Sequence, residues 1–235
     1  MKEGEEGEKG KRGRSLKSLQ RGNKGHSFKS IIFTTRSVPC SRFAGILRNV
    51  PFSPFSPEKV MNYADIKKVD VANGEGVRVS LFVSGCNHHC KGCFNQCAWD
   101  FNYGNKFTEK EEQKIIEYMD HDYIEGLSLL GGEPLEPQNQ EGLLPLVKDI
   151  KEKFPDKNIW CYTGFDFEKD VMGKMAPRSE TTRELLKYID VVVDGKFEES
   201  KKDLKLQFRG SSNQRILDVK ESLKSGKVVN EGQYL

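Results

Sequence analysis

Long apolar runs are missing from this chain of 235 residues. Nothing in it approaches the roughly 18 consecutive apolar residues of a membrane-crossing helix, and no secretory apolar core stands near the start. A soluble protein is expected. Cysteine is scarce outside one place: of six, Cys86, Cys90, Cys93 and Cys97 fall within twelve residues, while Cys40 and Cys161 stand alone. That distribution excludes a disulfide framework and favours metal chemistry in a reducing compartment, with the cytoplasm as the default. No second Cys/His pair follows downstream, which counts against a zinc site built from two separated knuckles. No second run of cluster-type cysteines is present either.

Acidic residues are scarce in the first quarter. Residues 1–60 hold 13 Lys+Arg against five Glu and no Asp, whereas the remaining residues hold 25 against 30. The basic excess therefore belongs to the first 60 residues. That stretch is rich in Gly, Ser and Lys and ends in Pro51-Phe52-Ser53-Pro54-Phe55-Ser56-Pro57. It cannot bury enough apolar surface to offset the entropy of ordering, so disorder is expected there, apart from a short strand at residues 30–35. The early glutamates argue against a transit peptide. A nucleic-acid arm is the functional alternative, but a linker or a mis-assigned start with Met61 as the functional beginning fits the composition better, and no direct nucleic-acid binding is expected. The expected division is an extension at 1–60 and one domain at 61–235.

The chemistry-bearing run is Gly85-Cys86-Asn87-His88-His89-Cys90-Lys91-Gly92-Cys93-Phe94-Asn95, directly after the strand-like stretch at residues 77–83. Three thiolates at this spacing in one loop can hold three irons of a cubane cluster and leave the fourth open to a small molecule. Two other readings use Cys97 as a fourth ligand: a closed zinc tetrahedron, or a closed ferredoxin-type set. Cys97 decides among them. It reads as a non-ligand, a small buried hydrophobe packed beside Trp99 and Phe101. His88 and His89, in a polar loop, read as exposed or as neighbours of the ligands rather than as ligands.

From residue 61 onward, short apolar runs alternate with helical patterns, the signature of βα units around a parallel sheet. Strands are expected at 78–84, 126–130, 158–162 and 191–193. Helices are expected from Thr108, whose capping box with Glu111 opens a helix to about Asp120, then around residues 143–150 and at 180–188. Ligands collect at the carboxyl ends of such strands. Four distinctive loops stand there: the cysteines, Gly131-Gly132-Glu133-Pro134, Thr163-Gly164-Phe165 and Asp194-Gly195-Lys196. The two glycines let a ligand approach the backbone, and Glu133 offers an acceptor for a cationic amine.

The cysteine loop followed by Gly-Gly-Glu resembles the radical S-adenosylmethionine superfamily. Within it, residues 61–235 resemble the activases of anaerobic ribonucleoside-triphosphate reductases. Beyond those two loops, the likeness is carried by Asn73-Gly74-Glu75-Gly76-Val77-Arg78, Asp190-Val191-Val192-Val193-Asp194-Gly195-Lys196-Phe197 and Arg209-Gly210-Ser211-Ser212-Asn213-Gln214-Arg215. Gly92 stands where the wider superfamily often has an aromatic, with Phe94 following instead. The resemblance implies an α/β fold, a partial (βα) barrel with a mostly parallel sheet and outer helices. It implies one 4Fe-4S cluster on Cys86, Cys90 and Cys93, and S-adenosylmethionine bound by Gly92, Cys93, Phe94, Gly131, Gly132, Glu133 and Pro134. An oxidoreductase that leaves a glycyl radical on the reductase large subunit is the activity implied. A low-potential donor such as a flavodoxin would supply the electron, and a homodimer or a heterotetramer with the reductase is the assembly it allows. Asp194, Lys196, Arg209, Asn213 and Gln214 are candidates for closing the site or docking the reductase. An activase of another glycyl-radical enzyme, such as a formate lyase, and a zinc-stabilised interaction module are the alternatives.

Overall fold

The computed structural model describes residues 61–232. The disorder expected for residues 1–60 and the strand expected at 30–35 lie outside the described residues. The strands are β1 (Asn62–Asp70), β2 (Val77–Val83), β3 (Asn105–Lys106), β4 (Ile124–Gly131), β5 (Asn158–Tyr162), β6 (Val191–Asp194), β7 (Arg215–Asp218) and β8 (Val229–Asn230). They form one sheet in the order β3-β1-β2-β4-β5-β6-β7-β8. The helices are α1 (Glu109–Met119), α2 (Pro137–Lys153), α3 (Ala176–Arg178), α4 (Glu180–Leu186) and α5 (Val219–Ser225), with a π-helical segment at Phe167–Met175 leading into α3.

The expected βα units are present at the centre, where β2–β4, β4–β5 and β5–β6 pair in parallel. The sheet as a whole is not mostly parallel. Its other four pairings, β1–β2, β1–β3, β6–β7 and β7–β8, are antiparallel. The physical reason is that the flanking strands sit at or near an edge and need no long apolar run. β1 carries Asp65, Lys67 and Lys68, β7 has only Ile216 and Leu217 buried, and β3 and β8 are two residues each. Short connections suffice for antiparallel neighbours, whereas each parallel pair needs a crossover.

Period-two alternation sends the two faces of the central strands to different surroundings. Val79, Leu81 and Val83 of β2, Leu127 and Leu129 of β4 and Ile159 of β5 are fully buried in one core with Ile115 and Met119 of α1 and Leu143, Leu146 and Ile150 of α2. Each such side chain contributes about 1.5–3 kcal/mol relative to exposure. On the alternate positions, Trp160, Val191, Val193 and Ile216 make a second, smaller cluster with Tyr162 and Phe208. Arg78, wholly buried, ties β2, β4 and β5 together: Nε donates to Ser128 Oγ (2.7 Å), Nη2 to Leu127 O (2.8 Å) and to Asn158 O (3.2 Å), and its guanidinium lies over the Trp160 ring (5.4 Å). α1 opens on the expected box, the Glu111 carboxylate accepting the Thr108 N–H (3.1 Å). Three parallel pairings in register bring the carboxyl ends of β2, β4, β5 and β6 to one edge.

Candidate functional site

At that edge lies a cavity of about 450 Å³. All four loops line it: Cys86, Cys90 and Cys93 after β2, Gly131 to Glu133 after β4, Thr163 and Gly164 after β5, and Gly195 after β6. Grouping them at a single site, as expected from the strand ends, is what the chain does. Of the described cysteines, all of them free, Cys97 and Cys161 do not line it.

The cysteine loop closes on its own backbone. Gly85 N–H donates to Ala98 O (2.8 Å) and Cys86 N–H to Trp99 O (3.0 Å), so both ends of the loop meet at its base. Between Cys90 and Cys93 a tight turn, Cys93 N–H to Cys90 O at 3.1 Å, carries Gly92 at φ +75°. A side chain is disfavoured at that angle, which accounts for glycine at this position. Phe94 then projects 86% exposed at the cavity rim. His89 is exposed and stacks on Trp99 at 4.7 Å, whereas the His88 side chain is only 8% exposed and turns inward.

Cys97 departs from expectation. It is exposed, beside Tyr103, while Ala98 takes the buried position in the short helical turn Gln96–Trp99. Its role as a packed hydrophobe is therefore not what the structure shows; Cys97 is exposed and does not line the cavity with the other three.

The second wall is built by close approach. Gly131 has φ +104°, and a Cβ on Gly132 would lie 2.6 Å from Gly85 O, so neither position tolerates a side chain. Gly132 N–H donates to Val83 O (2.7 Å) and Glu133 N–H to Gly85 O (2.8 Å), which seats this turn on the root of the cysteine loop. Asn139 of α2 adds Nδ2 donation to Ser84 O (3.0 Å) and Glu133 O (2.9 Å).

Burial pushes the Cys86 thiol up to about 11, with the Glu133 carboxylate and Cys90 adding to it against backbone donors at His88 and His89. Burial also raises Cys90. Both must lose a proton to ligate a metal, so metal uptake here releases protons and is favoured by rising pH. The donor set fits a cluster better than a single ion. A lone tetrahedral metal needs sulfurs converging at about 2.3 Å from one point, whereas a cubane presents its irons at separate corners. Three thiols, those of Cys86, Cys90 and Cys93, belong to residues that line this one cavity.

The residues expected to close the site or dock a partner are mostly tied into their own part of the chain. Asp194 is buried, accepts from Phe167 N–H (2.9 Å) and Arg215 Nε (3.0 Å), and pairs with the Arg215 guanidinium. Gln214 Oε1 accepts from Gly210 N–H (2.9 Å) and Ser211 N–H (3.1 Å), and its Nε2 donates to Gly195 O (3.0 Å). Asn213 Nδ2 donates to Lys196 O (2.8 Å), and Arg209 Nη1 to Gln214 O (3.2 Å). They brace the loop between β6 and β7, of which Gly195, Arg209 and Gln214 also line the cavity. Lys196 is exposed and offers only its carbonyl to this bracing. His88, expected to be exposed or a neighbour of the ligands, is the latter in sequence and is turned inward; sequence reading missed Asn139 and Glu136, Glu136 accepting from Asn87 Nδ2 at 3.0 Å. Their only signal was polar residues beside motifs.

Comparison with known proteins agrees with this geometry. A family model described as a 4Fe-4S single cluster domain matches residues 72–217, a span holding the cysteine loop and every wall of the cavity. Among curated proteins, the chain is 46% identical over 158 residues to the anaerobic ribonucleoside-triphosphate reductase-activating protein of Haemophilus influenzae, covering 66% of this chain and 97% of the relative. It is 44% identical over 158 residues to the proteins of the same name from Pasteurella multocida and Vibrio cholerae, covering 66% of this chain and 96% and 97% of the relatives. Likeness at that level across nearly the whole of each relative, with a single-cluster domain spanning the cavity walls, makes this chain a member of the anaerobic ribonucleoside-triphosphate reductase-activating protein family.

Proposed function

We propose that residues 61–235 activate an anaerobic ribonucleoside-triphosphate reductase, cleaving S-adenosylmethionine reductively at a 4Fe-4S cluster and leaving a glycyl radical on the reductase large subunit. The carrying observation is that Cys86, Cys90 and Cys93 line one cavity together with Gly131, Gly132 and Glu133, with Cys97 outside it. When bound, a cluster ligated three times would supply an open iron for the amino and carboxylate groups of S-adenosylmethionine and an electron for its sulfonium. The chain's part is to hold, orient and exclude water. Cys86, Cys90 and Cys93 would ligate the irons. Gly131 and Gly132 would leave backbone room for the methionine end of S-adenosylmethionine and Glu133 would border it, whereas Pro134 is buried and does not line the cavity; Gly92, Cys93 and Phe94 would border the adenine end. Phe94 at the rim is placed to cover a bound nucleoside or to meet the incoming polypeptide.

The fold suits a macromolecular substrate. The parallel strands β2, β4, β5 and β6, with the main helical core on one face and the cavity beside the other, are read as the arc of a partial (βα) barrel whose open side admits a glycine-bearing loop. Residues 1–60 are taken as an extension outside the activity. A low-potential flavoprotein such as a flavodoxin is the donor class proposed, and one chain per cluster the stoichiometry.

The test is anaerobic reconstitution with iron and sulfide, reduction with dithionite, and assay of 5'-deoxyadenosine formed from S-adenosylmethionine, with Cys90→Ala beside the wild type. Product from the wild type alone supports the proposal. A colourless wild type carrying stoichiometric zinc and forming no product overturns it.

A further inference from the structure

Three loops meet at one carboxylate. Glu133 is 1% exposed; its Oε1 accepts Leu135 N–H (2.8 Å), while its Oε2 accepts Gly164 N–H (2.7 Å) and stands 2.9 Å from Nε2 of His88. A carboxylate oxygen has only lone pairs to offer, so Nε2 of His88 carries the hydrogen and donates it. His88 lies midway in sequence between Cys86 and Cys90, two of the three thiols on the cavity wall.

The surroundings are shaped to hold that ring. His88 packs edge-on against Phe165 (4.5 Å between centroids), and a Cβ on Gly164 would come 2.7 Å from Nε2, so the third loop forms a slot that only glycine leaves open. One residue earlier, Asn87 donates through its backbone N–H (3.3 Å) and Nδ2 (3.0 Å) to Glu136 Oε1. Two carboxylates from the turn after β4 thus grip two consecutive residues of the cysteine loop. Both Glu133 oxygens accept from inside the chain, and of the roughly four lone-pair sites of a carboxylate one is left for a further donor.

We propose that His88 is a positioning residue for the cluster, fixing the span from Cys86 to Cys90 through its hydrogen bond to Glu133. The inference rests on the cluster reading above and deepens it. Removing groups that orient metal ligands characteristically costs about 10–100-fold in metal affinity.

The test compares wild-type full chain with His88→Leu, His88→Gln and Gly164→Ala, the last filling the slot while leaving His88 and Glu133 in place. Three readouts are taken, with the thermal midpoint as a check on folding. They are the rate of iron loss from the reconstituted protein to a chelator, the change in the reduced cluster's EPR spectrum on adding S-adenosylmethionine, and the alkylation rate of Cys86 in metal-free protein. His88→Leu and Gly164→Ala should lose iron roughly 10–100-fold faster than wild type, with an altered S-adenosylmethionine-dependent spectrum. His88→Gln, which keeps a side-chain N–H, should recover most of the difference. Iron loss and spectra superimposable on wild type in both His88→Leu and Gly164→Ala overturn the proposal, and if His88→Leu does not fold, Gly164→Ala alone decides. Should the wild type build no cluster, the functional reading fails by itself and Cys86 alkylation becomes decisive. About tenfold faster alkylation in the variants keeps the grip on the loop, and an unchanged rate removes it.

Discussion

The two loops flanking the parallel core, one after β2 and one between β6 and β7, look alike in sequence. Each is a run of about twenty residues with glycines and a distinctive motif. The structure spends them differently. In the loop after β6, the side chains of Asn213, Gln214 and Arg209 are consumed in bonds to the same loop, and Asp194 at its root pairs with Arg215. In the loop after β2 the backbone closes the base, through Gly85, Cys86 and Cys93, the Asn87 and His88 side chains tie it to Glu136 and Glu133, and the three cysteines line the cavity. Polar side chains that close their own loop serve as scaffolding; cysteines that line the cavity while the backbone closes the base are available for chemistry.

Substituting the sulfurs should therefore abolish function with little loss of stability, and the loop after β6 should behave in the opposite way. Cys86→Ala, Cys90→Ala or Cys93→Ala each should reduce iron content and deoxyadenosine formation to background while the metal-free thermal midpoint stays near wild type. A stability loss as large as the activity loss would erase the distinction. Arg215→Met should destabilise by about 2–3 kcal/mol in a denaturant titration, because it strands the buried Asp194 carboxylate. The figure sits below that for a fully buried pair because the Arg215 side chain is 34% exposed. Gln214→Ala should cost about 1–2 kcal/mol, with hydrogen exchange quickening at the amides of Gly210 and Ser211 that it bonds.

The difference has a pH signature. Burial holds the Cys86 thiol protonated up to about 11. Thiolate is the reactive form, so in metal-free protein the alkylation of Cys86 should be slow near neutrality and rise about tenfold per pH unit until that value is approached. Cluster assembly needs the thiolate as well, so it should be favoured on the alkaline side. Peptide mass spectrometry after timed alkylation at several pH values checks the sign. Fast alkylation of Cys86 at neutral pH would mean that the loop root is not closed.

Much of the centre was legible because its signals are local. The capping box at Thr108 and the strand at 158–162 follow from adjacent residues, and the convergence of four loops follows from counting βα units. Edge strands escaped because pairing with a neighbour, not apolar alternation, makes them. β1 presents Asp65, Lys67 and Lys68, and its omission made the sheet look mostly parallel. The engagement of Glu133 escaped for another reason: its partners His88 and Gly164 lie 45 and 31 residues away. No short window contains that bond, so the residue read only as an acceptor waiting for an amine.

Cys97 gives the smallest expected effect and the sharpest comparison within one loop. It carries the same functional group as Cys93, four residues on, yet the helical turn of Gln96–Trp99 directs Ala98 inward and leaves Cys97 exposed outside the cavity. If position in the fold rather than residue type makes a ligand, Cys97→Ser should leave iron content, S-adenosylmethionine cleavage and stability within error of wild type, since surface substitutions away from such features shift stability by about 0.5 kcal/mol or less. Its hydroxyl can still meet the Tyr103 hydroxyl beside it. Loss of the cluster in Cys97→Ser would show instead that the loop refolds around metal to recruit a fourth sulfur, closing the iron that three-cysteine ligation leaves open.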